Sequence, residues 1–459
     1  MKNGNRRRNN MGRLFGTDGV RGVANAELTP ELAFNLGKAG AYVLTKEEER
    51  PTIVIGMDTR VSGDMIQDAI SAGVMSMGAN VIKVGILPTP AIAYLVRRYK
   101  ATAGVVISAS HNPFEYNGIK FFNSEGFKLD DDVEDEIEDL ILRDSTRGTN
   151  LYGEKIGKCI FGYEDGSQKY IDFLKSTVEG SLEGMHIVID CANGASYKVA
   201  EEVFTDLGAR VITIGNSPNG YNINDGFGST HTERLQMEVL GFKADLGLAF
   251  DGDADRLIAV DEHGNEIDGD KIIYICAKHL KSKGLLKDDL VTATVMSNIG
   301  FHKAVESFGG KVDVTKVGDR YVLERMLETG CVLGGEQSGH MIFLNHTTTG
   351  DGILSALQLL QAVRDSGKTL GDLAGEMVEY PQVLKNARIK NENKKKFAAN
   401  HEVKEKIAEL EEKMSGEGRV LIRASGTEPL IRVMLEGSDI DLITTYASEL
   451  AAFIEQKLG

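Results

Sequence analysis

Cysteine is scarce in this 459-residue sequence: Cys159, Cys191, Cys276 and Cys331 lie far apart, and no C-x-x-C pair occurs. That spacing argues against a zinc site or a disulfide framework and reads as scattered buried thiols in a reducing cytoplasm. No apolar run reaches the length of a membrane span. The opening MKNGNRRRNN is basic but has no apolar stretch of the secretory kind. Residues 1–10 are therefore read as a disordered leader or tag ahead of a globular sequence that opens at Met11. A basic excess is missing too, since 52 Lys and Arg face 68 Asp and Glu for a net charge of −16. A nucleic-acid partner, which needs a basic face, is not expected. A few converging arginines can still outweigh a diffuse negative field and hold a small anion.

What is present is apolar residue enough, 42 %, to bury sizeable cores, in a chain too long for one. A strand–helix grammar repeats. Thr52–Gly56 reads as a buried strand, Asp64–Met77 as a helix, Val81–Ile86 as a strand, Ala91–Tyr99 as a helix and Gly104–Ile107 as a strand. The pattern returns at HIVIDCANGAS, RVITIG and ADLGLAFDGDADR, and again at LVTATVMSN, KVDVTKVG and GCVLGGEQSGH. Continuous β-branched runs alternating with helices predict parallel sheets covered on both faces, with ligands at the carboxyl ends of the strands. From about Pro381 the order changes to a small α+β pattern. The acidic run Asp130–Glu136 keeps Val133, Ile137, Leu140 and Ile141 at helical spacing, so it reads as a solvated helix face rather than a metal site.

Each repeat ends in a polar, Gly-rich loop. In FDGDADR, Asp251, Asp253 and Asp255 alternate, so their side chains can converge on a hard cation such as Mg²⁺. The calcium EF-hand is not expected, because Arg256 stands where its position-six glycine belongs. An Asp-rich surface turn is the competing reading; the preceding apolar strand LGLAF favours the metal. In SASHNP, Ser110 and His111 are chain neighbours whose side chains point apart on an extended backbone, and no G-x-S-x-G elbow occurs. A serine hydrolase is thus not expected. Asn112-Pro113 closes a strand in a turn, and the more specific reading is a serine that carries a phosphoryl group beside a cation. In GGEQSGH, Glu336 and Ser338 alternate and suit vicinal sugar hydroxyls, while His340 has the intrinsic pKa of a proton shuttle. In RASGTEPLIRV, Arg423, Ser425, Thr427 and Arg432 surround Gly426, either as an ordinary hairpin loop or as a cradle for phosphate. FGTDGVRG adds Thr17 and Arg21 in a further Gly-rich loop.

With these loops in this order, the sequence resembles the α-D-phosphohexomutase superfamily from about Met11 to its end. FGTDGVRG, ISASHNP and GGEQSGH are most similar to its bacterial branch acting on glucosamine phosphates. The resemblance implies three similar mixed α/β-sheet domains plus a smaller C-terminal α+β domain around a central cleft. Expected bounds are 11–165 with a phosphoserine loop, 166–267 with a metal loop, 268–380 with a sugar loop, and 381–459 with a phosphate loop. It implies that Ser110 is phosphorylated and ligates one Mg²⁺ with Asp251, Asp253 and Asp255. Glu336 and Ser338 would bind sugar hydroxyls, and Arg423, Ser425, Gly426, Thr427 and Arg432 the non-reacting phosphate. Lys120, His340 and, less directly, His111 would move protons; Arg21 and Arg256 would stabilise phosphoryl charge.

The implied activity is a cytoplasmic isomerase that interconverts glucosamine 6-phosphate and glucosamine 1-phosphate and feeds UDP-N-acetylglucosamine and cell-wall synthesis. Glucose or glucosamine 1,6-bisphosphate would be the activator or intermediate. Mannose and glucose phosphates are the alternative substrates under the same chemistry. A metal-dependent phosphatase and a non-catalytic phosphosugar binder are the rival functions. The implied partner is a small phosphosugar, with no nucleic acid and no membrane, and a homodimer stays open.

Overall fold

The computed structural model describes residues 14–16, 18–46, 50–146, 151–397, 400–414, 417–424 and 429–459. The leader expected at 1–10, and Thr17, Ser425, Gly426 and Thr427, lie outside the described residues. Four sheets follow one another along the chain. The first contains β1 (Val20–Val23), β2 (Thr52–Met57), β3 (Asn80–Ile86), β4 (Ala103–Ile107), β5 (Tyr116–Phe122) and β6 (Cys159–Phe161), ordered β1-β5-β4-β2-β3-β6. The second contains β7 (His186–Asp190), β8 (Arg210–Ile214), β9 (Leu246–Phe250), β10 (Leu257–Val260) and β11 (Glu266–Ile267), ordered β11-β10-β9-β7-β8. The third contains β12 (Leu290–Thr294), β13 (Lys311–Thr315), β14 (Leu333–Gly335) and β15 (Met341–Phe343), ordered β13-β12-β14-β15. The fourth, all antiparallel, contains β16 (Gln382–Arg388), β17 (Gly418–Ala424) and β18 (Leu430–Gly437), ordered β16-β18-β17.

The strands with continuous apolar runs are the parallel centres, as periodicity predicts. β2 pairs in parallel with β3 and β4, β7 with β8 and β9, and β12 with β13 and β14. Every residue of β4 and β9 is buried. Not anticipated as separate strands are β5, β10 and β15. Each returns antiparallel beside the strand before it, so the sheets are mixed rather than purely parallel. Apart from FGTDGVRG, which leads into β1, each polar loop singled out in the sequence therefore joins a strand to its own antiparallel neighbour. The expected boundary at 165/166 falls inside the helix Tyr163–Lys175. That helix packs against β3 on one side and the helix Val199–Asp206 on the other.

One continuous buried cluster runs through the first three sheets, from Val54 and Ile92 through Ile187 and Leu248 to Val291 and Ile353. The fourth sheet and the helix Ile440–Leu458 bury a separate cluster around Val433, Leu435, Leu450 and Ile454. The two bodies meet through polar groups. Glu436 is fully buried, pairs with Arg419 Nε at 2.5 Å, and accepts the Ile299 N–H at 3.0 Å. Asn298 exchanges two bonds with the Tyr380 backbone, at 2.9 and 3.0 Å. The acidic run forms the helix Asp131–Leu142, with Ile137 buried in a further cluster of the first domain beside Ile53, Ile70 and Phe121, and with Val133, Leu140 and Ile141 packed against that cluster.

Candidate active site

Ser110 follows β4 at the carboxyl edge of the first sheet. Its φ of +53° is a left-handed conformation that side-chain-bearing residues rarely adopt, costing about 1–3 kcal/mol unless the surroundings impose it. The surroundings do so. The Ser110 N–H donates to Ser108 Oγ at 3.0 Å, and Ser108 Oγ donates to Asp58 Oδ2 at 2.6 Å. Asp58 in turn pairs with Arg60 Nε at 2.9 Å, both side chains fully buried. Arg60 Nη2 donates to the carbonyls of Ser110 and Asn112 at 2.9 and 2.8 Å, and Asn224 Nδ2 reaches the same two carbonyls at 2.9 and 3.1 Å. The hydroxyl is thereby aimed at the second domain. Ser110 is 3 % exposed, and its Oγ donates to Asp251 Oδ2 at 2.6 Å. His111 Nδ1 lies 3.4 Å from the same oxygen, the long edge of a hydrogen bond.

Asp251, Asp253 and Asp255 occupy the short loop between β9 and β10. Gly252 lets this loop touch the serine loop, because a Cβ there would stand 2.6 Å from the Ser110 carbonyl oxygen. All three carboxylates are buried, each offering an oxygen within 4.8 Å of the others, and they are the only such triad among the described residues. Asp251 Oδ1 accepts the Arg256 N–H at 3.3 Å, and Asp253 Oδ2 accepts from Thr89 Oγ1 at 2.7 Å. Asp253 Oδ1 and Asp255 Oδ1 are buried without a hydrogen-bond partner. Burial and the neighbouring Asp255 and Asp253 push the Asp251 carboxyl well above the usual range. Buried, mutually repelling carboxylates with orphaned oxygens fit a divalent cation, which would reverse that repulsion and fill both open positions.

Cations surround the aspartates. Lys120, on β5, lies 3.0 Å from Asp18, 3.3 Å from Asp253 and 3.9 Å from Asp255. Burial by itself would lower its pKa, but these carboxylates raise it above the ordinary lysine value. Arg21, on β1, pairs with Asp18, and its strand runs beside β5 with Arg21 opposite Gly118. Arg256 Nε is 3.9 Å from Asp255. Burial combined with the charges of Arg256 and Arg21 lowers the pKa of His111.

The third domain supplies His340. Its Nδ1 is 3.7 Å from Asp255 Oδ2, and its Nε2 accepts the Gly350 N–H at 3.2 Å. Burial would depress its pKa, but Asp255 and Asp319 outweigh that and raise it. Gly339 makes the approach possible, since a Cβ there would meet the Leu257 carbonyl oxygen at 2.3 Å. Glu336 Oε1 accepts the Gly318 N–H at 2.9 Å, while Ser338 is exposed. Arg423 and Arg432 are exposed and stand opposite one another on β17 and β18. The fold thus gathers Ser110, His111, Lys120, Arg21, the three aspartates, Arg256 and His340. It keeps Arg423 and Arg432 on a separate sheet.

Four family models cover the chain. Phosphoglucomutase/phosphomannomutase alpha/beta/alpha domains I, II and III match residues 12–148, 168–264 and 268–380, and the C-terminal domain matches 384–453. The chain belongs to this family. Among its relatives, a protein named phosphoglucosamine mutase from Ruminiclostridium cellulolyticum is 57 % identical over 451 residues, 98 % of this chain and all of the relative. Two solved structures share the fold. One is a phosphoglucomutase/phosphomannomutase family protein from Burkholderia thailandensis, with TM-score 0.78, 21 % identity and 97 % of each chain covered. The other is the Aspergillus fumigatus N-acetylphosphoglucosamine mutase in complex with GlcNAc-6P and magnesium, with TM-score 0.70, 17 % identity, and 97 % of this chain and 96 % of that one covered.

Within this phosphohexomutase fold, sequence reading passed over Asp58, Arg60, Thr89, Asn224, Asp18, Lys128 and Asp319. A signal existed for several: Asp58 and Arg60 follow β2, Asn224 follows β8 and Asp319 follows β13. The strand-end rule that selected three loops applies equally to these. Lys128 lies beyond the antiparallel strand β5, where that rule is silent.

Proposed function

We propose that the chain is a phosphoglucosamine mutase, an isomerase that interconverts glucosamine 6-phosphate and glucosamine 1-phosphate through phosphorylated Ser110 and a bound 1,6-bisphosphate. The observation that carries this reading is the Ser110 hydroxyl, buried, held in a left-handed conformation and set 2.6 Å from a triad of buried aspartates. The name of the Ruminiclostridium relative supports the sugar. Asp251, Asp253 and Asp255 would hold Mg²⁺, which when bound neutralises charge on the transferring phosphoryl group.

Ser110 gives its phosphoryl group to the free sugar hydroxyl. The Oγ–P bond breaks as a new O–P bond forms on the sugar, and the hydroxyl proton leaves. Lys120 and His340, whose Nζ and Nδ1 lie 3.9 and 3.7 Å from Asp255 Oδ2, are assigned to that proton. The bisphosphate turns end for end, and Ser110 recovers the other phosphate. Arg21 and Arg256 offset phosphoryl charge. Glu336 and Ser338 bind sugar hydroxyls, and Arg423, Ser425, Gly426, Thr427 and Arg432 hold whichever phosphate is not reacting. A glucose or glucosamine 1,6-bisphosphate would restore a Ser110 that has lost its phosphate.

Comparison of kcat/KM for glucosamine, glucose and mannose phosphates tests the assignment, with glucosamine expected to lead. Preference for mannose would overturn the sugar, and release of inorganic phosphate as the main product would overturn the mutase.

A further inference from the structure

Asp18 is a carboxylate shared by three cations. Arg21 pairs with it, Lys120 Nζ lies 3.0 Å from Oδ2, and Lys128 Nζ lies 2.9 Å from Oδ1. Two of these cations belong to the proposed site; Lys128 was not singled out by sequence reading. A tight turn brings it there. Asn123 Oδ1 accepts the N–H groups of Glu125 and Phe127, each at 3.0 Å, and Gly126 reverses the chain at φ +80°. Lys128 then bridges back to Phe122 at the end of β5, the strand that carries Lys120.

Lys128 also reaches into the third domain, where it pairs with Asp319, the first residue of the helix Asp319–Thr329. Thr348, from the same domain, donates to the Gly126 carbonyl and clamps the tip of the turn. Asp18, Lys120, Lys128 and Asp319 all line one cavity of about 370 Å³ between the first and third domains. Without Lys128, one face of Asp18 would lose its counter-charge. The carboxylate would swing toward Lys120 or Arg21 and neutralise a cation that faces the transferring group.

We propose that Lys128, anchored by Asp319, is a positioning residue that holds Asp18 between Lys120 and Arg21 and so keeps both cations directed at Ser110. This rests on the mutase reading above.

The test is steady-state kinetics on the full chain. Lys128→Met should lower kcat by about 10- to 100-fold, the cost of a small misplacement of reacting groups. KM should stay within about threefold, since substrate binding is not its task. Lys128→Arg should recover most of the loss. Asp319→Asn should lower kcat at least as much, since Asp319 also lies 3.9 Å from His340 Nε2, and the double variant should be no worse than the poorer single. Arg320→Ala is the control: it removes another ion pair between the same domains, with Asp131 at 2.5 Å, and should leave kcat near wild type. Wild-type kcat in Lys128→Met would overturn the proposal. So would an equal loss in Arg320→Ala, because domain closure alone would then explain it. If Lys128→Met does not fold, Lys128→Gln decides by the same criteria. Absence of mutase turnover in the wild type refutes the functional reading instead, a different outcome from normal turnover in both.

Discussion

Around Ser110, the neighbouring groups are tied down: its N–H, its carbonyl and its hydroxyl all have partners inside the protein. Around Arg423 and Arg432 the side chains are exposed, on a sheet with its own core, joined to the rest through Glu436, Asn298 and Tyr380. The contrast fits a division of labour. A nucleophile must be held within tenths of an ångström, so it sits where two domains share one core. On the proposed reading, a phosphate grip that accepts either end of a sugar moves with its substrate, and Arg423 and Arg432 stand on a body attached by polar contacts, which slide more readily than interlocked apolar side chains.

Ser110→Ala strikes the fixed half hardest. Mutase turnover should fall by about 10,000-fold or more, as for other essential nucleophiles, while phosphosugar binding survives. Intact mass would show no added phosphoryl group in the variant, and near-normal turnover would dissolve the distinction drawn here. Asp253→Asn, still in the fixed half, should cost about 100-fold in kcat and weaken Mg²⁺ binding measured by calorimetry, since one orphaned oxygen is lost. On the fourth sheet the signature should change. Arg423→Ala should raise KM by about tenfold, the value of one charge-assisted contact, with a smaller effect on kcat. A fall in kcat alone would place Arg423 with the reacting groups instead.

The smallest expected effect lies near the joint. Asp270 accepts the Asn298 N–H at 2.7 Å, and burial with Asp268 nearby pushes its carboxyl up to about 7. The unfolded carboxyl titrates near 4, so between about pH 4 and pH 7 the folded state binds the extra proton. Its contribution therefore favours folding at low pH and is lost as pH rises through that window. Asp270→Asn keeps the acceptor and removes the charge. Its Tm should match wild type at about pH 4 and exceed it by a few degrees at about pH 8. A gap that does not change with pH would sink this.

Much of the fixed half was legible beforehand. The β-branched runs at 52–56 and 104–107 became central strands because a strand buried on both faces has no polar side to alternate. Asp251, Asp253 and Asp255 converge because alternate residues of one short loop cannot stray far from one another. The neighbours of Ser110 were harder. Asp58 and Asn224 come from other strand ends, far away in the chain, and no local pattern pairs them with this serine loop. The returning strands β5, β10 and β15 were likewise invisible as strands, because each is short or interrupted and draws its stability from the neighbour it lies beside.

By itself the sequence determined the alternation of strand and helix, the polar loop at the end of each unit, the acidic triad and the separate character of the last eighty or so residues. These follow from periodicity and composition, which act over a few residues at a time. Only the tertiary structure decided that Ser110 faces Asp251 rather than His111, and that Asp18 divides its charge among Arg21, Lys120 and Lys128. It also decided that His340 enters from a third domain against Asp255. Apart from Asp18–Arg21, those are contacts between groups far apart in the chain. Their energy exists only once the backbones have packed closely enough for Gly252 and Gly339 to matter.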